Sequence, residues 1–303
     1  MKKTHRLQGI ILLFITATIW GTAFVAQSVG LDHLGSFTFN GIRSLIGCIV
    51  LLPFILFQDR KQQHTGSEVE RKTKRQVLLV GGTICGIMLC IASNLQQFGI
   101  THSTVGKSAF ITTLYIVLVP LLGLFLKHPV KLQIWFSVLL ALVGLYLLCM
   151  KDEGFQLGIG DVYLILCALF FSFQIIAVDY YAPKVNGLKL SCMQFFVTAV
   201  LSGIFAAFTE RPSWADITAA AFPLFYAGAI SCGIGYTLQI VAQKDVNPTV
   251  ASLIMSLESV IASLAGWILL HETLSTKELI GCGLVFGAVI LTQLPAIQKR
   301  KAD

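Results

Sequence analysis

Long apolar runs alternate with short polar stretches from one end of the chain to the other. About 20 apolar residues suffice for a helix to cross a bilayer, and the pattern predicts ten such helices. The first follows MKKTHRLQG and extends to about Val29. The others are 36–57, 77–100, 104–126, 132–150, 158–181, 187–208, 217–242, 247–270 and 276–293. The basic N-terminal end looks like that of a secretory signal, but no small-residue cleavage site follows it, so the first run reads as a retained helix. The one sizeable hydrophilic connection is 58–76, QDRKQQHTGSEVERKTKRQ. The remaining links have no room for a soluble catalytic or regulatory domain.

The ninth run, NPTVASLIMSLESVIASLAGWILLHE, holds a carboxylate, Glu258, in the middle of an otherwise uncharged stretch, 246–270. An acid at the bilayer centre costs about 2.5–3.5 kcal/mol or more, which marks such a residue as a functional candidate. On a helical wheel at about 100° per residue, Leu253, Ile254, Leu257, Val260, Ile261, Leu264, Trp267 and Ile268 take one side, which is expected to face lipid. Ala251, Ser252, Ser256, Ser259, Ala262, Ser263, Ala265 and Gly266 take the other, and small residues let membrane helices approach closely. Glu258 falls among them and is expected to point into a helix bundle.

Composition agrees with this class. The chain is 55% hydrophobic and 12% charged, with a mean hydropathy of +0.79, against a usual charged share of about 25%. Lys and Arg fall unevenly on the connections: seventeen lie on the side that carries both termini and four on the other, with Arg43 apart inside a helix. Because cytoplasmic loops are enriched in these residues, both termini are expected in the cytoplasm. Topology then accounts for the net charge of +7, and nucleic acid need not be invoked as a partner.

The chain also repeats itself. Gly9, Ala17, Trp20 and Arg43 align at an offset of 151 with Gly160, Ala168, Phe171 and Gln194. After the long connection the offset becomes 143, pairing Gln96 with Gln239, Gly123 with Gly266, His128 with His271 and Gly144 with Gly287. Each half then holds five helices, and an odd number makes the second half enter the membrane from the opposite side. Many secondary transporters are built from such inverted repeats, with the substrate site near the midplane.

The motifs ATIWGTAFVAQ, FNGIRSLIG and above all TVASLIMSLESVIASLAGWILLHETLS followed by GCGLVFGAVIL resemble the EamA-domain branch of the drug/metabolite transporter superfamily. The first half carries a degenerate copy, TVGKSAFITTLYIVLVPLLGLFLKHP. The resemblance implies an all-α polytopic membrane protein of ten helices, with EamA repeats over 7–150 and 158–293. It further implies a cytoplasmic-membrane location and the export or exchange of small metabolites, amino acids or related compounds among them. The sequence departs from the family pattern at His271, before Glu272, and at Pro129 in the first copy.

Offset 143 sets Tyr115 opposite Glu258, and Thr104, Ser108 and Thr112 share the tyrosine's side of the fourth helix. In the first helix Thr16, Trp20, Ala23 and Gln27 form one face, which offset 151 carries to Cys167, Phe171, Gln174 and Val178. A central cavity lined by these faces and by Tyr236 and Gln239 is the expected substrate site. Its residues are Trp20, Gln27, Thr112, Tyr115, Phe171, Gln174, Tyr236, Gln239 and Glu258. Aromatic walls offer apolar and cation-stacking contact. Glu258 is a candidate to attract a cationic group or to carry a coupling proton; the alternative is a structural hydrogen bond across the bundle. Arg43 is read as snorkelling outward or as meeting an anionic group at an outer vestibule, and Gly81-Gly82 as a close-contact point.

Enzyme chemistry finds no support in the motifs. The six histidines form no HExxH spacing, and the eight cysteines lie in or beside the apolar runs without a CxxC. No metal or cofactor is expected, and no P-loop suggests ATP-driven pumping. The expected partners are a small-molecule substrate and the lipid bilayer, with the chain a monomer or homodimer. An uncoupled, channel-like permease is the alternative, and a membrane-embedded lipid-modifying enzyme a more distant one.

Overall fold

The computed structural model describes residues 2–61, 68–103, 105–126, 130–149, 158–269 and 275–294. Among them every regular element is helical. The first three are long: α1 (Lys2–Leu31), α2 (Ser36–Lys61) and α3 (Glu68–Thr101). They are followed by α4 (Val105–Thr112), α5 (Tyr115–Phe125), α6 (Leu132–Cys149), α7 (Ile159–Tyr181) and α8 (Gly187–Thr209). The remainder comprises a 3₁₀ turn between α7 and α8 (Ala182–Lys184), α9 (Trp214–Ala219), α10 (Ala221–Phe225), a π-helical stretch (Tyr226–Tyr236), α11 (Thr237–Ala242), α12 (Pro248–Met255), α13 (Leu257–Leu269) and α14 (Thr276–Gln293). Nine spans among the described residues are long and apolar enough to cross a membrane, and the shorter Leu132–Leu148 is apolar as well. The chain is a polytopic, all-helical membrane protein.

Local chemistry sets the ends of these helices. The Asn186 side chain accepts from Lys189 N at the start of α8, and Asn247 from Thr249 N ahead of Pro248 in α12. Ser213 with Asp216, and Ser275 with Glu278, close reciprocal capping boxes, satisfying backbone donors that the first turn of a helix leaves free. The expected hydrophilic connection is shorter than its composition suggests: α2 runs to Lys61 and α3 begins at Glu68, so helices emerge beyond the apolar runs.

Among the most closely packed helices are two pairs with clear side-chain reasons. α6 and α14 cross at Gly144 and Gly281, where a Cβ on Gly281 would stand 2.6 Å from the Gly144 carbonyl oxygen. α2 and α8 clasp each other at both ends. At one, the Glu210 carboxylate accepts the backbone N–H groups of Phe37 (3.0 Å) and Thr38 (2.8 Å). At the other, Lys189 pairs with Asp59 at 2.7 Å and Asn186 donates to Gln58 at 2.9 Å. The expected close contact at Gly81 and Gly82 is present, against Tyr181 and Met193 on α7 and α8.

The fourth and ninth spans are not the continuous helices that their hydrophobicity predicts. The fourth breaks at Thr113-Leu114, between α4 and α5, and the ninth at Ser256, between α12 and α13. At each break a hydroxyl turns back on its own helix, Thr113 onto the Ala109 carbonyl and Ser256 onto that of Leu253 at 2.7 Å. The backbone tightens there, with Leu114 N bonding Ile111 O and Ser259 N bonding Ser256 O. Back-bonding hydroxyls bend helices, and short 3₁₀ turns within a helix mark hinges.

The ninth span also corrects the wheel. Leu253, Ile254, Leu257 and Val260 are buried, leaving Trp267 and Ile268 as the exposed end of the supposed lipid face. Apolar side chains suit a protein interior as well as hydrocarbon, so hydrophobicity alone does not separate the two.

Candidate functional site

The two breaks meet. The Thr113 hydroxyl lies 2.7 Å from that of Ser259, and beside this contact the Tyr115 hydroxyl donates to Oε1 of Glu258 at 2.8 Å. Both members of the second pair are buried. α1 crosses against them at Gly21, where a Cβ would come within 2.6 Å of the Glu258 carbonyl oxygen. A glycine is needed here because the backbones touch.

Around this junction lies a narrow cavity of about 30 Å³, room for water but not for a metabolite. All nine candidate residues line it: Trp20, Gln27, Thr112, Tyr115, Phe171, Gln174, Tyr236, Gln239 and Glu258. Ala23, Phe24, Arg43, Gln96, Ile175 and Ser231 complete the wall. Other residues of the expected faces lie elsewhere. Thr16 bonds the Leu12 and Gly235 carbonyls, Ser108 is buried, Cys167 and Val178 belong to the core, and Thr104 falls outside the described residues. So do Pro129, His271 and Glu272, where the sequence departs from the family pattern.

Ten of the lining residues form five pairs at the two offsets: Trp20 with Phe171, Ala23 with Gln174, Phe24 with Ile175, Gln96 with Gln239, and Tyr115 with Glu258. The remainder, notably Arg43 and Tyr236, give the cavity its asymmetry.

Arg43 corrects an expectation. It does not snorkel but is 3% exposed, donating through Nε to Asn40 at 2.9 Å and through Nη1 to Gln27 at 2.7 Å. Its guanidinium lies 5.9 Å from the Phe39 ring centre. Asn40 in turn donates to Ser93 and Ser202, and Gln97 donates to the same Gln27 oxygen. Neutral side chains therefore hold a cation in the interior. Neither Arg43 nor Glu258 has a salt-bridge partner among the described residues, and Nη2 of the one and Oε2 of the other form no hydrogen bond there.

The walls are polar as well as aromatic. Trp20 packs on Tyr236 with ring centres 4.5 Å apart, and Phe195 meets Tyr236 edge-on at 5.6 Å. Gln239 donates to Gln174, and Gln174 to Gln194. Trp20 Nε1 and Gln239 Oε1 are buried without a hydrogen-bond partner. Because buried polar groups are generally satisfied, this free donor and free acceptor are the groups that water or a small polar molecule in the cavity would bond.

Toward the termini the bundle opens into a vestibule of about 700 Å³, bordered by Arg6, Lys131, Asp179, Asp245 and Gln293. The Arg6 side chain reaches Gln293 at 3.3 Å, so the start of α1 and the end of α14 lie at this mouth. The vestibule stops at Val119, one turn beyond Tyr115, and at Ile176, next to Ile175 of the cavity wall. No group of three or more His, Cys, Asp or Glu suited to a metal is found among the described residues.

Of the cavity's polar residues, the sequence reading did not place Gln96 or Ser231 there, and it set Arg43 nearer the outer face. Gln96 was within reach, since it stands in the repeat opposite Gln239.

Comparison with known proteins agrees with this architecture. The family model described as the EamA-like transporter family matches residues 7–150 and 158–294. A protein of Archaeoglobus fulgidus named an uncharacterized transporter is 30% identical over 290 residues, spanning 95% of this chain and 87% of its own length. The uncharacterized transporter YoaV of Bacillus subtilis is 22% identical over 285 residues, covering 91% and 94%. A crystal structure of a protein 18% identical in sequence superposes with a TM-score of 0.77 over 94% of this chain and 96% of that one, and so shares the fold. The chain belongs to the EamA-like transporter family, within the drug/metabolite transporter superfamily, and is a multi-pass membrane transporter.

Proposed function

We propose that the protein is a secondary transporter that exports a small polar metabolite across the cytoplasmic membrane by alternating access. Its two five-helix repeats, 7–150 and 158–293, are inverted relative to each other, and both termini lie in the cytoplasm. The observation that carries this reading is the central cavity, where five pairs of residues stand at the repeat offsets and two broken helices meet. Discontinuous helices at the interface of inverted repeats are where secondary transporters place substrate.

The size of the cavity supports a cycle of states. A pocket for a small molecule commonly measures about 300–1,000 Å³, whereas this one holds about 30 Å³ and the vestibule beside it about 700 Å³. The walls must part to admit a substrate, and the hinges at Thr113-Leu114 and Ser256 are placed for it. Loading from the cytoplasm is supported by the position of the vestibule at the termini, on the side that carries seventeen of the loop Lys and Arg.

The charges describe the substrate. A carboxylate and a guanidinium that do not pair with each other suit a molecule with a cationic and an anionic end, as amino acids have, with Trp20, Phe171 and Tyr236 closing on its side chain. Glu258 is also the proposed carrier of a coupling proton, since it is the one acid lining the cavity.

The test is flux of amino acids and related zwitterions in vesicles containing the purified protein, with and without an imposed pH gradient. Gradient-driven flux is expected. Flux indifferent to the gradient would replace this reading by an uncoupled permease, and no flux for any zwitterion would remove the substrate assignment.

A further inference from the structure

We propose that Lys107 and Asp161 form the gate that closes the transport path on the face opposite the termini. The proposal rests on the alternating-access reading above. Lys107 Nζ lies 2.6 Å from Asp161 Oδ2, joining α4 of the first half to the first turn of α7 in the second. The lysine side chain is 23% exposed and the aspartate 2%. The same carboxylate oxygen accepts the Gly158 N–H at 2.8 Å, which fixes it at the start of α7.

The two halves differ at this place. Offset 143 carries Lys107 to Val250, and offset 151 carries Asp161 back to Ile10. Where the far face has a salt bridge, the face at the termini has two aliphatic side chains. Val250 there borders the open vestibule of about 700 Å³. At these equivalent positions the far face carries an ion pair and the face at the termini carries aliphatic side chains.

Separating the pair would strand a buried carboxylate without its counter-ion, which is strongly unfavourable until water reaches it. The latch is therefore a switch between closed and hydrated arrangements rather than a gradual contact. α4 links it to substrate. This eight-residue helix has Lys107 near one end and Thr112, in the cavity wall, at the other, next to the break at Thr113. A shift of the wall at Thr112 moves Lys107 with it, as on a rigid rod about 12 Å long.

The full-length protein in vesicles provides the test. Ser231, in the cavity wall, is replaced by Ser231→Cys as a reporter, and a membrane-impermeant maleimide is added on the face that carries Lys107. Labelling is taken as the increment over the same protein without the reporter. Lys107→Met is expected to raise the rate about fivefold or more, the range in which coupling energies move two-state equilibria, and Lys107→Arg to leave it near the starting value. Asp161→Asn, which keeps an acceptor for Gly158, is expected to act like Lys107→Met and serves if the latter does not fold. An unchanged rate in the Met and Asn variants overturns the gate, as does an Arg variant that labels as fast as Met. Labelling needs no transported substrate. A transporting protein with an unresponsive reporter therefore overturns the gate alone, whereas a responsive reporter in a protein without flux supports the gate and counts against the transport reading.

Discussion

Tyr115 donates its hydroxyl to Glu258 at 2.8 Å, and the two residues stand 143 positions apart, at equivalent places in the two halves of the chain. One half contributes the acid and the other the group that holds it. Any movement of α5 against α13 must lengthen this bond or carry both residues along.

Tyr115→Phe removes the donor while keeping the ring. The buried carboxyl then lacks the one hydrogen-bond partner it has among the described residues, at a cost of about 1–3 kcal/mol. We expect a folded protein with a lowered thermal midpoint in detergent and reduced flux. A midpoint and flux equal to the parent would show that the bond contributes nothing.

Glu258→Gln keeps the shape and a hydrogen-bond acceptor but cannot exchange a proton. Membrane insertion and folding should persist, and the response of flux to an imposed pH gradient should vanish. A Gln variant that still follows the gradient excludes Glu258 as the proton carrier.

Arg43→Met should weaken binding of a zwitterion about tenfold to a hundredfold, the range for losing a hydrogen bond to a charged group. A ligand lacking the anionic end should bind both proteins alike. Binding read by thermal shift separates the two cases, because a ligand selective for the folded state stabilises it. Equal weakening for both ligands would assign Arg43 to the frame instead.

Gly281→Val should destabilise the crossing of α6 and α14, since even a Cβ would stand 2.6 Å from the Gly144 carbonyl oxygen. Overfilling a tight contact commonly costs about 1–3 kcal/mol. Gly283, around whose Cβ position no atom lies within 4 Å, is the matched control: Gly283→Val should leave the thermal midpoint nearly unchanged. Equal loss at both positions would point to helix propensity rather than contact.

Much of the cavity was legible in the sequence because offset and face are linear properties. An offset of 143 is enough to place Tyr115 opposite Glu258, and helical spacing is enough to align Trp20, Ala23 and Gln27. The breaks at Thr113 and Ser256 were not legible, since serine and threonine in an apolar run look the same whether their hydroxyls point along the helix or bend it. The burial of Arg43 was not legible for a related reason. A lone cation some seven residues into a helix suggests escape to water, and nothing local announces that Asn40 and Gln27, the latter from another helix, will solvate it. The buried apolar side of the ninth span needed knowledge of what surrounds it.

The π-helical stretch Tyr226–Tyr236 changes how residues are counted along the eighth span. In a π-helix bonding runs from i to i+5, so positions five apart come to one side. Ser231 and Tyr236 are five apart, and both reach the cavity. A wheel drawn at the α-helical angle would turn them well away from each other. Deleting one residue from this stretch would let it wind as an ordinary helix, yet it would swing Ser231 and everything before it around the axis relative to Gln239. The span would still cross the membrane, with a different set of side chains facing its centre.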